Sequence, residues 1–487
     1  MFSGSVKIGA SLSFLVLIVA YLYKRHADEI LQERLRDVLS GLLRAEKKIS
    51  LESKRVAVGF GACEDIFTNG LNLLHHLNLT SPQEAVHQDL VNTPEELAQL
   101  FAFFFESGAA AERYVANASL FEEIVKAGMK GEGYQWAIGG NAAVIARRLA
   151  MEGFDVLLGA RMGQNALDTI SDSVKVIGNS IPRSDIHLIM EYKTNDQWGK
   201  FTSPRANRLV LHNDKVNPFL DGMEEFLDKV LTFKPSLLVI GGLQMMDNFP
   251  DDKGVRFERL EKLSQFLQKL PRSTLIHFEM ASFTEFSLLT EIIHKVIYYC
   301  DSLGANEQEL PNILQVVQGK NVTLVSDQRP RVATVLDQIR KLYAALGDTS
   351  QMNGRRPLTR IHIHTLAFQA ILTHPDSAWK NSMSATAKAA LTAHRHTCGD
   401  HDIDAAKARL IMDGSFALSS QEPKEDINDS STKNRIYVNN QRPVSCWEES
   451  GLLPAHVCVA PVLVCTQILK TAGGGDNISG AGLVLQI

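Results

Sequence analysis

The stretch "TAGGGD" at residues 471–476 has the composition of a phosphate-binding loop that ends in an acid. Gly473, Gly474 and Gly475 can present successive backbone N–H groups to a ligand, because no side chain blocks its approach. A helix is predicted to follow, and its N-terminus adds a partial positive charge. Asp476 could then accept the proton of an alcohol that attacks a bound phosphate. A plain turn with Asp476 as a helix cap is the simpler alternative.

Three further polar residues follow predicted strands. Glu279 ends the apolar run "LIHFE", and Asn306 and Glu309 come after another such run in "LGANEQE". Ligands of open parallel sheets gather at the carboxyl ends of the strands, so we expect these groups near Asp476. Carboxylate oxygens suit Mg²⁺, which usually keeps some water between itself and the protein. Each acid alone is weak evidence, because most acids lie on the surface.

The order of predicted elements indicates how these residues are positioned. From residue 235 onward, apolar strands alternate with helices, which favours a parallel sheet covered on both faces. Residues 185–212 alternate with a period of two, which is typical of antiparallel strands with one wet face. Residues 415–445 are polar and are predicted to form a surface loop. We therefore expect a main α/β layer with a smaller sheet as a lid.

Composition excludes some classes of function. The chain has 487 residues and a formal net charge of −5, so no overall basic field attracts nucleic acid. Its six cysteines form no C-x-x-C pair, which argues against a zinc site. In an oxidising compartment one disulfide could form among those in the C-terminal third. A Rossmann dehydrogenase is disfavoured, because no G-x-G-x-x-G follows the first predicted strand.

The N-terminal region differs from the rest. Residues 8–23 contain no charge and are followed by Lys24, Arg25 and His26. This pattern predicts a cleaved signal or an uncleaved anchor within residues 1–26, rather than a buried core helix. Leucines at helical spacing then predict a helical stalk over residues 27–50.

The chain resembles the ADP-dependent sugar kinases of the ribokinase-like superfamily, most closely their animal branch. The family's H-x-E, N-x-x-E and G-x-G-D motifs stand here at 277–279, 306–309 and 473–476. The blocks "GGNAAVIARR" and "QWGKFTSPRANR" are also similar. The resemblance covers roughly residues 51–487 and implies a mainly parallel sheet flanked by helices with a smaller β-rich lid. It places the lid at about 60–135 and 185–215, and the large part at about 136–184 and 216–487.

The resemblance also implies roles for individual residues. Asp476 would be the catalytic base, and Glu279, Glu309 and Asp476 would organise Mg²⁺. Gly473, Gly474, Gly475 and Arg208 would contact the donor phosphates, and His364 would lie near the adenine. The sugar would be bound by Asp65, Glu112, Gly139, Gly140 and Asn141. The structural alternatives are a helix cap for Asp65, a helix start at Gly139–Asn141, a surface charge for Arg208 and a core histidine for His364.

Two residues depart from the family pattern. Gly61 stands where an asparagine is usual, and Gly474 stands where a bulky apolar residue is common. The first change would remove one sugar contact, and the second would loosen the phosphate loop.

The activity implied by the resemblance is transfer of the β-phosphate of ADP to the 6-hydroxyl of D-glucose, with Mg²⁺, giving glucose 6-phosphate and AMP. The alternatives are a related sugar kinase using ATP or fructose 6-phosphate, or an inactive membrane-tethered protein that binds nucleotide or sugar. Expected partners are glucose, ADP and, for the N-terminal segment, a membrane or translocon, with no nucleic acid. We expect a monomer in the endoplasmic reticulum, either lumenal or membrane-anchored, or a secreted one.

Overall fold

A computed structural model describes residues 3–46, 54–130, 133–170, 172–251, 254–320, 327, 329–347, 354–420, 435–450 and 453–487, with side chains from residue 13 onward. Its α-helices are α1 (Ser3–Ala45), α2 (Gly70–His76), α3 (Pro94–Ser107), α4 (Ala118–Lys130), α5 (Asn141–Met151), α6 (Gln164–Thr169), α7 (Met223–Phe233), α8 (Val255–Lys269), α9 (Phe286–Lys295), α10 (Glu309–Val317), α11 (Val332–Gly347), α12 (Ser382–Cys398) and α13 (Gly474–Val484).

The strands in the same described ranges are β1 (Arg55–Gly59), β2 (Cys63–Asn69), β3 (Leu90–Val91), β4 (Ala111–Val115), β5 (Gln135–Gly139), β6 (Asp155–Gly159), β7 (Val174–Ile177), β8 (Asp185–Tyr192), β9 (Gln197–Trp198), β10 (Phe201–Thr202), β11 (Asn207–His212), β12 (Leu237–Ile240), β13 (Leu275–Glu279), β14 (Ser302–Asn306), β15 (Arg360–His364), β16 (Phe368–Thr373), β17 (Ala408–Arg409), β18 (Ser415–Ala417), β19 (Arg435–Tyr437), β20 (Ser445–Glu449), β21 (Ala455–Pro461) and β22 (Val464–Cys465).

Ten strands form the large sheet, in the order β20-β21-β16-β15-β14-β13-β12-β1-β6-β7. The neighbours from β15 to β7 pair in parallel, whereas β16, β21 and β20 pair antiparallel. Every residue of β12 is buried, because α7–α11 pack on one face of the sheet and α5 and α13 on the other. The prediction of an α/β layer covered on both faces is confirmed.

Six strands form a smaller sheet, in the order β3-β4-β11-β8-β2-β5. Helices α2, α3 and α4 pack their apolar sides on one of its faces. The pair Thr93-Pro94 predicts a helix start, because threonine is a common cap and proline fits the first turn. Helix α3 begins there, and Thr93 and Glu96 form a capping box. Strand β5 pairs antiparallel with β2, so residues 136–139 belong to this sheet and not to the large part that sequence assigned them to.

The N-terminal region forms one continuous helix across the boundary predicted between a signal or anchor and a stalk. Helix α1 continues through residue 26, and its end packs on α12 through Leu35, Val38 and Leu42. Its other apolar residues, from Phe14 to Tyr23, are largely exposed. Among the residues whose side chains the structure describes, no helix is long and apolar enough to cross a membrane. The predicted apolar run starts at residue 8, outside those side chains.

Two disulfides form where sequence predicted one. Cys398 is bonded to Cys465, and Cys446 is bonded to Cys458 across the pair β20–β21. All four residues lie in the C-terminal third, as expected. Cys63 and Cys300 are buried and free.

Candidate active site

The glycine loop forms the start of α13, with Gly473 as the N-cap and Gly474 and Gly475 as the first two helical residues. Gly473 has a φ of +69°, a conformation that favours glycine. A Cβ on Gly475 would lie 2.9 Å from Cε1 of His364, so this position has no space for a side chain. A Cβ on Gly474 would meet its nearest neighbour, Cδ2 of His396, at 3.7 Å, an ordinary contact. The loop therefore needs glycine at its first and third positions but not at its second.

Asp476 lies in the first turn of α13 and is held from the start of α5. The Asn141 side-chain amide donates a hydrogen bond of 2.8 Å to Oδ1 of Asp476. Gln244 in turn donates to Oδ1 of Asn141. Helix α5 can begin at this point because Gly140 has a φ of +85°, and a Cβ there would lie 2.9 Å from Cα of Ala62. The junction between the two sheets thus orients the candidate base.

Glu279 ends β13 and is enclosed by three hydrogen-bond donors. His277 lies 3.0 Å from Oε2, His364 lies 3.3 Å from Oε1, and the Ser479 hydroxyl donates to Oε1 over 2.9 Å. Burial raises the pKa of Glu279, but the hydrogen bonds and charges of the two histidines outweigh it and lower the pKa to about 2. Glu279 is therefore a fixed negative charge near neutral pH.

Asn306 and Glu309 bond to each other across the start of α10. The Asn306 backbone N–H and side-chain amide each donate to Glu309, both over 2.8 Å. The Glu309 backbone N–H donates back to Oδ1 of Asn306 over 2.9 Å. The N-x-x-E spacing therefore builds a reciprocal turn that fixes the glutamate at the cavity wall.

Asp476 and Glu309 differ from Glu279 in charge state. Burial and the nearby Glu279 raise the pKa of Asp476 to about 7. Burial raises the pKa of Glu309 to about 7 as well, with Glu279 and Asp476 adding to the effect. Asp476 can therefore take up and release a proton near neutral pH, which is what a general base must do.

Two adjoining cavities meet at this cluster. The first, of about 240 Å³, is lined by polar residues that include Glu112, Asn141, Glu279, Glu309, His364 and Asp476. The second, of about 230 Å³, has apolar walls from residues such as Leu366, Val462, Ile468 and Ile478. Both share Arg208 and Gly475. A phosphate chain could therefore bridge a flat apolar group in the second cavity and an acceptor in the first.

Arg208 lines both cavities from the small sheet. Its Nη1 donates to the side chain of Asn207, while its Nε is buried and has no hydrogen-bond partner among the described residues. A buried donor without a partner carries a desolvation cost that an anion would relieve. This is the observation that best supports the prediction that Arg208 contacts phosphate.

The structure places four other predicted residues in two positions relative to the cavities. Gly474 lines only the apolar cavity. Asp65, Gly139 and Gly140 line neither cavity. Asp65 lies against Gly139, where a Cβ would be 1.8 Å from its Oδ1, so the two are in close contact at the pair β2–β5. Asp65 is within a strand and caps no helix.

His364 ends β15, where it bonds to Glu279 and lines the polar cavity. Its expected place near adenine stays a prediction. The residues that follow it, Thr365 and Leu366, line the apolar cavity instead.

Comparison with known proteins places the chain in a family. The model described as "ADP-specific Phosphofructokinase/Glucokinase conserved region" matches residues 54–485. The chain belongs to this family. An ADP-dependent glucokinase from Bos taurus is 32% identical over 435 residues, covering 88% of this chain and 84% of the relative. A probable ADP-dependent glucokinase from Caenorhabditis elegans is 28% identical over 491 residues, covering 97% and 94%.

Solved structures of ADP-dependent kinases share the fold of this family member. One, an ADP-dependent kinase in complex with fructose-6-phosphate and ADPβS, aligns with a TM-score of 0.62 at 16% identity, covering 93% of this chain and 97% of that one. A hypothetical ADP-dependent phosphofructokinase from Pyrococcus horikoshii OT3 aligns with a TM-score of 0.57, also at 16% identity, covering 89% and 98%. At this identity the likeness concerns the fold alone.

The three predicted Mg²⁺ ligands line one cavity but do not form a tight donor set. Among the described residues, the groups whose ligand atoms lie within 4.8 Å of one another do not unite Glu279, Glu309 and Asp476. Their burial and mutual repulsion nevertheless favour a cation between them. The arrangement fits a magnesium ion reached partly through water, which is the coordination this ion prefers.

Sequence reasoning missed several residues of the site. Gln244 and Ser479 contact Asn141 and Glu279, and Glu307 lines both cavities near Arg205. Glu307 had a signal, since it lies inside the N-x-x-E motif. Gln244 and Ser479 had none, because their roles depend on partners that are 103 and 200 residues away in the chain.

Proposed function

We propose that this protein transfers the β-phosphate of ADP to the 6-hydroxyl of D-glucose, giving glucose 6-phosphate and AMP. The observation that carries the proposal is Asp476, held by Asn141 at the head of α13 where a polar and an apolar cavity meet. A glycine loop and a helix N-terminus stand beside it for the donor phosphates. Relatives described as ADP-dependent glucokinases support the choice of donor and acceptor.

The proton of the glucose hydroxyl passes to Asp476 in this proposal. Oδ1 of Asp476 accepts a hydrogen bond from Asn141, so Oδ2 is the oxygen expected to face the hydroxyl. A pKa near 7 lets the carboxylate accept a proton as the hydroxyl attacks the phosphorus. Phosphoryl transfer otherwise depends mainly on positioning and on charge neutralisation.

Charge neutralisation is assigned to the glycine loop, Arg208 and a cation. Backbone N–H groups at Gly473–Gly475 and the unpartnered Nε of Arg208 would contact the phosphate oxygens. Glu279 and Glu309 would hold Mg²⁺, partly through water. When bound, the ion would draw negative charge from the transferring phosphoryl group.

The small sheet is proposed to act as a lid that carries the sugar contacts. Glu112 lines the polar cavity from β4, and Asp65 lies on β2 of the same sheet. Carboxylates suit sugar hydroxyls because these donate hydrogen bonds. Closure of the lid would keep water from the phosphorus, which protects ADP from hydrolysis.

We further propose that the protein is a monomer directed to the endoplasmic reticulum by its N-terminal segment. The exposed apolar side chains from Phe14 to Tyr23 support a membrane or translocon contact. The two disulfides support an oxidising compartment. Fluorescence microscopy of the full chain, beside a chain that begins at residue 27, would test the targeting role.

The proposal is tested by product formation. The full chain is incubated with glucose, Mg²⁺ and either ADP or ATP, beside the Asp476→Asn variant. We expect glucose 6-phosphate and AMP from ADP, and a loss of kcat of about a thousandfold in the variant, since its general base is removed. Glucose should still raise the melting temperature of the variant, which shows an intact sugar site.

Three outcomes would contradict parts of the proposal. Product from ATP but not from ADP would reject the donor. Phosphorylation of fructose 6-phosphate in preference to glucose would reject the acceptor. Absence of any product from a folded protein that binds ADP would reject the enzyme and leave a binding protein.

A further inference from the structure

A group of buried titratable side chains in the small sheet takes no part in the mechanism above. His187 lies in the middle of β8, opposite Asp65 of β2 on one side and His212 of β11 on the other. His187, His212 and Asp214 are at most 4% exposed. Because residues opposite in register share a face, these groups lie on the face away from α2–α4.

Asp214 is the anchor of this group. Its Oδ1 is 3.0 Å from Nε2 of His187 and 3.3 Å from Nδ1 of His212. Its Oδ2 accepts a hydrogen bond of 3.1 Å from Asn217, whose amide also donates to the carbonyl oxygen of Ala62. Asp214 is thus held from several sides and cannot easily turn away from His187.

The other side of His187 faces the predicted sugar carboxylates. Its Nδ1 lies 3.6 Å from Oε1 of Glu112. A carboxylate oxygen of Asp65, a ring nitrogen of His187 and Sγ of Cys63 all lie within 4.8 Å of one another. Three carboxylates therefore surround one imidazole, and a buried set of this kind needs a positive charge to offset their repulsion.

We propose that Asp214 is a positioning residue for the acceptor sugar, which fixes the ring of His187 between Asp65 and Glu112 so that these two carboxylates keep their places in the sugar site. The inference rests on the proposed function, because the sugar is the ligand that these carboxylates would bind. Asp214 itself lines neither cavity and would not touch the sugar.

The charge state of His187 follows from its surroundings. Burial lowers the pKa of His187, but Asp214, followed by Glu112 and Asp65, raises it to about 10. Without Asp214, the largest contribution that raises the pKa of His187 is lost, and burial lowers this pKa. The titratable groups around His187 are Cys63 and Asp65 on β2, Glu112 and Tyr114 on β4, Asp185 on β8, Arg208 and His212 on β11, and Asp214.

The test compares Asp214→Asn with Asp185→Asn in the full chain. Asp185 accepts three backbone hydrogen bonds from Lys215, Val216 and Asn217, so it supports the same turn without bonding His187. We expect Asp214→Asn to raise the KM for glucose about tenfold at pH 8, with kcat and the KM for ADP within about threefold of the parent. The matched Asp185→Asn variant should lower stability and leave the KM for glucose within about twofold.

A pH profile separates this role from a structural one. In the parent, the KM for glucose should stay constant from about pH 7 to 9, because His187 remains charged below its pKa. In Asp214→Asn, the KM should rise with pH as His187 loses its proton. An unchanged KM and pH profile in folded Asp214→Asn would overturn the proposal, and so would an equal rise in KM for Asp185→Asn.

Two further measurements keep the proposal testable. If Asp214→Asn does not fold, ¹⁵N-histidine NMR of the full chain at pH 8 replaces it, with His187→Gln for assignment. Both ring nitrogens of His187 should be protonated, and a neutral ring would contradict the proposal.

Ligand atoms of His187, His212 and Asp214 also lie within 4.8 Å of one another. A stoichiometric transition metal in purified protein, absent from Asp214→Asn, would therefore replace the positioning role with a metal site. Failure of the parent to make glucose 6-phosphate would reject the proposed function, while the NMR and glucose-binding results would still test His187.

Discussion

Glu279 and Asp476 line one cavity, yet their surroundings push their pKa values apart. Two histidines and a serine hydroxyl contact Glu279, whereas Asp476 receives one amide hydrogen bond and faces the charge of Glu279. The result is a pKa of about 2 for the first and about 7 for the second. One acid is therefore suited to hold a cation, and the other to carry a proton, although their side chains differ by one methylene.

The glycine loop offers a matched pair of substitutions. Gly475→Ala places a methyl group 2.9 Å from His364, so we expect kcat/KM for ADP to fall at least tenfold and stability to fall by about 1–3 kcal/mol. Gly474→Ala has ordinary contacts and should stay within about threefold of the parent. Steady-state kinetics with ADP and thermal unfolding check both. Equal losses in the two variants would contradict the steric assignment.

The sugar site should weaken in acid. Burial raises the pKa of Asp65 to about 6, although His187 opposes the shift. The carboxylate is ionised above this pH and protonated below it, so it loses a hydrogen-bond acceptor as the pH falls. We expect glucose affinity to drop by up to about tenfold for each pH unit below 6. Calorimetry without nucleotide or Mg²⁺ measures this, and Asp65→Asn should bind weakly with a flatter profile. A parent profile that is flat down to pH 5 would contradict the prediction.

At the scale of elements, the two sheets meet at the loop that leads to α13. Thr471, two residues before the glycine loop, donates from its backbone N–H and its hydroxyl to Oε1 of Glu191, which lies on β8 of the small sheet. Helix α5 meets the same place from the other side through Asn141. The donor loop and the lid are therefore directly bonded, so movement of one should affect the other.

Removal of this contact should loosen the donor site. We expect Glu191→Gln to raise the KM for ADP about tenfold, because a charge-assisted pair of hydrogen bonds to the loop is weakened. Glu64→Gln is the matched control, since Glu64 accepts a hydrogen bond from Trp136 within the small sheet. Kinetics at saturating glucose would compare them. An equal effect of the control would show a general disturbance of the small sheet.

Local patterns predicted single elements better than their assembly. Helix α3 was predicted from Thr93 and Pro94, because a cap and a first-turn proline act within a few residues. Residues 136–139 were assigned to the large part although they pair with β2 of the small sheet, because a strand's partner depends on packing that is distant in sequence. The carboxylate cluster could be expected from strand ends, but its hydrogen bonds to Ser479 and Gln244 could not, since no local spacing encodes them.

At the scale of the whole molecule, the disulfides differ in how much chain they close. The Cys398–Cys465 bond spans 67 residues, and the Cys446–Cys458 bond spans 12. Loop closure in the unfolded chain predicts stabilisation of about 4 and about 3 kcal/mol, respectively. We expect Cys398→Ser/Cys465→Ser to lower the free energy of unfolding more than Cys446→Ser/Cys458→Ser, as measured in guanidinium without reductant. The reverse order would show that native packing outweighs chain entropy here.

The packing of α1 on α12 determines where the protein can be shortened. Leu35, Val38 and Leu42 are covered by α12, and Glu46 pairs with Arg395 on the same helix. Helix α12 also carries His396, which lies 2.8 Å from the carbonyl oxygen of Ala472, just before the glycine loop. A chain cut at residue 50 would leave an apolar strip open on the helix that supports the donor loop. A version prepared for crystallography should therefore start after Tyr23 and before Gln32. This start removes the exposed apolar stretch and keeps the turns of α1 that cover α12.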